Sequence, residues 1–302
     1  MSIIVGFGPD TRTGSGLRLA AALAHSLDET LVLCCVIHDS FESSSLRDTS
    51  GFDADWRREI NALADDAIAE AKEQLPDDLK VEVVRRTGRS VPQILENEAE
   101  RRGAQMLVVG SADGVMGRIG LGSTSDRLVH SSRVPVALAP RGFDPSPEGV
   151  RRVVLAVDPT ARDAALVPGV VDVLKTMDAS LVVVTFAVRG GSRTAMSAFR
   201  DSGVYAQWRR DVQNTQRGIV TDVAGQCPDL TAEAGSVIDG ERWSTAVAAF
   251  DWQQGDLLVI GSSAHAALAR VFLGSTAARI LRHSPVPVLV LPRGRKKPGK
   301  RQ

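Results

Sequence analysis

Short runs of Val, Ile and Leu alternate along this chain with longer stretches whose apolar residues return every three or four positions. Continuous apolar runs bounded by turn residues read as buried strands, and a three-to-four spacing reads as an amphipathic helix. In the first half this pattern predicts strands over Ile3–Phe7, Thr30–Ile37, Val81–Val84, Gln105–Val109 and Val134–Ala139. Helices are expected over Gly16–His25, Ala54–Gln74, Val91–Arg102 and Ser123–His130. The longest places Ile60, Leu63, Ala67 and Ala71 along one face. The second half repeats the order, with strands at Val153–Val157, Ser180–Ala187, Thr231–Ala234, Leu257–Ile260 and Val286–Leu291. Its helices are expected at Ala161–Met177, Thr194–Cys227, Trp243–Trp252 and Thr276–His283. Such alternation predicts an α/β protein with a mostly parallel sheet covered on both faces. Phe143–Gly149 carries two prolines and a glycine and reads as a linker, so the domains are expected at 1–142 and 151–294.

The two halves match in detail. Met106-Leu-Val-Val-Gly110-Ser, then Gly122-Ser123-Thr124, then Val134-Pro-Val is answered by Leu257-Leu-Val-Ile-Gly261-Ser, Gly274-Ser275-Thr276 and Val286-Pro-Val. Each copy is a buried strand, a glycine-bounded loop, the start of a helix and another buried strand. Backbone N–H groups at such a helix start favour an anion, so the geometry suits phosphate. The same Gly-Ser-Thr would also serve as a turn with a helix cap. Proline at the head of each closing strand fits a strand start or an edge. Pairing the two closing strands with each other would cover both edges, which is the expected reason for the duplication.

Composition narrows the functional classes. With 302 residues, 43% hydrophobic and a formal net charge of zero, the chain offers no basic excess for nucleic acid. No apolar run is long enough to span a bilayer, and no signal-like start is seen, so a cytoplasmic location is expected. The short basic tail after Arg293 reads as a solvated end. Cys34 and Cys35 are neighbours in a strand and should face opposite ways, unable to bond to one another; they and Cys227 read as structural thiols.

Candidate chemistry is sparse. Arg118 and Arg270 stand four residues before the last loop glycine of each copy, where a guanidinium could meet a phosphate, a solvent layer or the other domain. His265 lies in the second loop, while His130 and His283 end helices, where the dipole favours a cation. No histidine has an orienting carboxylate at suitable spacing, no metal-site spacing occurs, and the nucleotide-triphosphatase loop and nucleophile-elbow motifs are absent. The polar stretch Ser192–Gln226, carrying Tyr205 and Trp208, reads as a helix packed on its own sheet, with a partner or homodimer surface as the other reading.

On this order of elements and this loop the chain resembles the universal stress protein family in its tandem two-domain form, from Ile3 to about Arg293. The resemblance implies two Rossmann-like domains, of the adenine nucleotide alpha hydrolase-like kind, each with a mostly parallel five-stranded sheet and helices on both faces. Many members bind ATP at a loop of the form G-x2-G-x9-G-[ST], with an acidic residue closing the first strand against the adenine or ribose. Carried onto this sequence, the nucleotide residues of the second repeat are Asp158, Thr160, Gly261, Gly274, Ser275 and Thr276. Those of the first are Gly110, Gly122 and Ser123. The second repeat keeps the family spacing but has Ala264 at the motif's second glycine. The first has Gly8 where the acid should stand, with Asp10 nearby, and its loop is one residue short. The resemblance thus implies a regulatory, non-enzymatic stress-response protein whose adenine-nucleotide site, for ATP with magnesium, is better preserved in the second repeat. A dimerisation or partner scaffold without nucleotide is the alternative, and a nucleotide-dependent α/β transferase or pyrophosphatase a third, lacking the phosphate loop that chemistry needs.

Overall fold

The computed structural model describes residues 2–9, 14–38, 52–111, 115–158, 166–188, 203–262, 271 and 273–292. The first half runs β1 (Ser2–Phe7), α1 (Gly14–Ser26), β2 (Thr30–His38), α2 (Phe52–Glu73), β3 (Val81–Gly88), α3 (Val91–Arg102), β4 (Met106–Val109), α4 (Ser123–Ser131) and β5 (Val136–Leu138). The second runs β6 (Arg152–Ala156), α5 (Val167–Leu174), β7 (Ser180–Val188), α6 (Gly203–Ala224), β8 (Ala232–Gly240), α7 (Trp243–Ala248), β9 (Asp256–Gly261), α8 (Ser275–His283) and β10 (Val288–Leu291).

All ten strands belong to one sheet, in the order β3-β2-β1-β4-β5-β10-β9-β6-β7-β8. Every neighbouring pair is parallel except β5 and β10, which run antiparallel with Val136, Ala137 and Leu138 opposite Val290, Leu289 and Val288. The closing strands therefore pair as expected, and all six residues are fully buried. Left open, either strand would offer an apolar edge to other chains.

Alternate strand residues face alternate sides, which divides the core in two. Ile3, Val5, Leu31 and Leu33, with Val153, Leu155, Leu181 and Val183, pack beneath α1, α2, α5 and α6. Ile4, Val32, Leu107 and Val109, with Val154, Val182, Leu258 and Ile260, pack beneath α3, α4, α7 and α8. Cys35 belongs to the first cluster and Cys34 to the second, so the two thiols do face opposite ways. All three cysteines are free.

Three elements depart from the sequence reading. Strand β3 continues past Val84 through Arg85, Arg86 and Thr87, and β8 continues past Ala234 to Gly240. These are the two outer strands, where polar side chains pair with covering helices: Arg85 with Asp65 of α2, and Arg86 with Glu98 of α3. Helix α7 stops at Ala248 rather than at Trp252. Trp252 folds back to donate its indole N–H to the Val247 carbonyl at 2.7 Å and stacks on Phe186, so this aromatic closes the helix instead of extending it. The expected helix Ala161–Met177 is described only as α5, and Thr194–Cys227 as α6; residues 161–165 and 194–202 lie outside the described residues.

Candidate functional site

Because β5 and β10 are antiparallel, the carboxyl ends of the two sets of parallel strands lie at opposite ends of the sheet. In open α/β sheets those ends are where ligands bind. The second repeat brings Asp158 and Gly261 to one such end. Ala156 pairs with Ile260, so Asp158, two residues on, stands at the mouth beside Gly261 and Ser262. Ser262 donates its N–H to Leu291 O at 2.9 Å, tying the start of the loop to β10. Gly274 is the N-cap of α8, at φ −67° and ψ 163°, with Ser275 exposed and Thr276 half-buried behind it. Thr160, Ala264, His265 and Arg270 lie outside the described residues.

In the first repeat Gly8 occupies the strand-end position, and Asp10 lies outside the described residues. Its loop is folded onto itself. Ser111 Oγ accepts the Gly120 N–H at 2.5 Å, while Gly117 N–H donates to Arg141 O and Arg141 N–H to Arg118 O, each at 2.9 Å. Gly122 caps α4, and Ser125 Oγ accepts the Gly122 N–H at 2.9 Å. Ser123 is exposed at the start of that helix.

One difference between the repeats was hidden in the sequence. A Cβ on Gly16 would come within 2.7 Å of Gly110 N, so the start of α1 lies backbone against backbone on the loop glycine. The matching residue, 150 positions on, is Leu166, whose buried side chain packs directly over Gly261. The two mouths are therefore walled differently: by bare backbone in the first repeat, by a leucine in the second.

Each loop also reaches across to the other repeat. Arg118 Nη1 donates to the His283 carbonyl at the end of α8, at 2.6 Å. In return Val271 N–H donates to Ser132 O at 2.6 Å and Leu273 N–H to Val129 O at 3.1 Å, at the end of α4. Ile119, Val271 and Leu273 are buried in this contact. Arg118 thus takes part in the domain interface. The same contact reverses the expectation for His283: burial lowers its pKa, and the charges of Arg118 and Arg282 lower it further, outweighing the helix end.

Among the described residues no cluster of three or more His, Cys, Asp or Glu could hold a metal ion, and no helix is long and apolar enough to cross a membrane.

A duplicated five-stranded α/β unit, joined through its last strands and carrying a glycine-bounded loop before each last helix, defines a tandem Rossmann-like protein. The sequence profile of the universal stress protein family matches residues 1–140 and again 149–292, and the chain belongs to that family. Universal stress proteins of Mycobacterium tuberculosis and Mycobacterium bovis are each 30% identical over 296 residues, covering 97% of this chain and 100% of theirs. A solved universal stress protein from Archaeoglobus fulgidus shares the fold at a TM-score of 0.56 and 19% identity, over 97% of this chain and 96% of that one. A Pseudomonas aeruginosa protein described as functionally unknown is equally similar in fold, at 0.56 and 18% identity, over 97% and 92% of the two chains.

Proposed function

We propose that the chain is a regulatory stress-response protein that takes one adenine nucleotide, ATP with magnesium, at the carboxyl end of the second repeat. The observation that carries this reading is the asymmetry of the two mouths. Among the described residues only the second puts a carboxylate, Asp158, at the end of its first strand beside a loop glycine, Gly261. A carboxylate there can accept hydrogen bonds from ribose hydroxyls or an adenine amine. Across the loop, the N–H groups that open α8 after Gly274, with the hydroxyls of Ser275 and Thr276, suit a phosphate. Thr160, outside the described residues, belongs to the proposed set by the family resemblance. Gly110, Gly122 and Ser123 form the weaker counterpart, facing Gly8 instead of an acid. Magnesium would be held by the phosphates and water, with no protein cluster of its own. The domains assigned to this function are 1–142 and 151–294, acting in the cytoplasm. The proposed output is regulatory rather than catalytic.

A scaffold that works without nucleotide is the second reading. It is favoured by the packing of Leu166 over Gly261 and by the engagement of both loops in the domain interface. Calorimetric titration of ATP and magnesium into the protein, Asp158→Ala and Gly274→Val separates the two. The nucleotide reading expects about one ATP per chain, by the occupancy of a single site, with binding lost in both variants. Absence of binding to the unaltered protein, checked by thermal shift, leaves the scaffold.

A further inference from the structure

The second repeat contains a buried polar network that ends one residue from Asp158. Strands β7 and β8 stay in register to Val183 opposite Ala234, then slip so that Thr185 lies opposite Val237, with one extra residue on β8. Such a bulge strips nearby backbone groups of their ladder partners. Gln216, fully buried on α6, fills the gap. With its amide turned to suit its neighbours, Nε2 donates to Gly235 O at 2.9 Å and Oε1 accepts the Thr185 N–H at 3.2 Å. The Thr185 hydroxyl, buried as well, lies 3.2 Å from both Gln216 Oε1 and the Val157 carbonyl. Gln216 Oε1 and the Val157 carbonyl thus share this hydroxyl as donor, one proton between two acceptors. Val157 in turn donates its N–H to Val184 O at 2.9 Å. Val157, the residue leading into Asp158, is thereby held at both its N–H and its carbonyl.

The first repeat supplies an internal control. The residues matching Val157, Asp158 and Thr185, 150 positions earlier, are Phe7, Gly8 and Cys35. Helix α2 has no buried amide among its described residues; its fully buried positions are Ala64 and Ala71. There the register of β2 and β3 runs unbroken from Leu31 opposite Val81 to His38 opposite Gly88. The acid, the hydroxyl, the amide and the bulge occur together in one repeat and are missing together from the other.

We infer that Thr185 and Gln216 are positioning residues for Asp158: α6, through a bulge-filling amide and a buried hydroxyl, sets the strand end that presents the carboxylate to its ligand. The inference rests on the nucleotide reading of Asp158. It is tested by comparing Thr185→Val, which keeps the shape and loses the hydroxyl, with Thr185→Ser, which keeps the hydroxyl. Residue-level amide exchange on the ligand-free full chain reads the strand end directly, and ATP titration with magnesium reads the site. Thr185→Val should speed exchange at Val157 and Asp158 while leaving β9 and β10 unchanged. It should also weaken ATP about fivefold, the effect of one lost hydrogen bond. Thr185→Ser should stay close to the unaltered protein in both. Unchanged exchange at 157–158 in Thr185→Val overturns the relay even where ATP still binds. Faster exchange with unchanged ATP affinity overturns the positioning role. Faster exchange in a protein that binds no ATP sinks the nucleotide reading first, and the positioning role with it.

Discussion

Glu98 has its side chain almost wholly out of water and receives hydrogen bonds from three arginines: Arg86 Nη2 at 2.9 Å, Arg101 Nη2 at 2.6 Å and Arg102 Nε at 2.6 Å. Burial alone would raise its pKa, but the hydrogen bonds from Arg101, Arg102 and Arg86 outweigh it and bring the group down from 4.5 to about 2. A carboxylate whose folded pKa is depressed adds stability above its unfolded pKa and loses it as pH falls through the folded one. Glu98→Gln should therefore cost about 2 kcal/mol at neutral pH, discounted because the arginines keep contact with water. The cost should fade between pH 4.5 and about 2, as urea titrations across that range would show. The thiols lend themselves to a simpler test. Burial, then the nearby Glu98 charge, pushes Cys34 up to about 12, and burial pushes Cys35 up to about 11. Both should resist maleimide in the folded protein at pH 8 and react on unfolding; mass spectrometry of the labelled peptides distinguishes them from half-buried Cys227.

At the scale of elements, the crossing of Arg118 onto the end of α8 links a loop of one repeat to a helix of the other. A cation at a helix C-terminus satisfies an otherwise orphaned carbonyl and meets the negative end of the dipole. Arg118→Met should lower stability by about 1 kcal/mol. It should also raise the pKa of His283, since burial, then Arg118, then Arg282 hold it down. A histidine kept neutral by the fold loses stability as pH falls below its unfolded value near 6.5, so the variant should lose less on acidification. Titration of the His283 ring by NMR reads the shift. This link was not legible in the sequence, because Arg118 and His283 are 165 residues apart and nothing local marks them as partners. The elements themselves were legible where burial drives them: β1, β2, β4 and β9 each carry a continuous run of buried apolar residues. The outer strands β3 and β8 were read short because their polar residues satisfy helices that sequence spacing cannot place. Of the site, the loop glycines stood out from the repeat and the acid from the family resemblance, whereas Leu166, Thr185 and Gln216 gain meaning only from what they touch.

For the whole molecule, the antiparallel pair β5–β10 is the only strand contact between the halves among the described residues. Ala137 lies opposite Leu289 at its centre with no exposure to solvent. A carboxylate placed there would meet apolar neighbours on every side, so Ala137→Asp should destabilise the chain by about 3 kcal/mol or more. Unfolding should then change from one transition to two as the halves part, which calorimetry would resolve.

That seam has a further consequence. Two identical chains meeting across such an axis would share every substitution, and neither partner could alter its mouth without altering the other. Covalent fusion through Phe143–Gly149 removes that constraint. One half can give up its acid for Gly8 and wall its mouth with bare backbone, while the other keeps Asp158 and gains a bulge, an amide and a hydroxyl behind it. A symmetric frame thus carries an asymmetric pair of ends, so any partner that reads the molecule can tell which way round it lies.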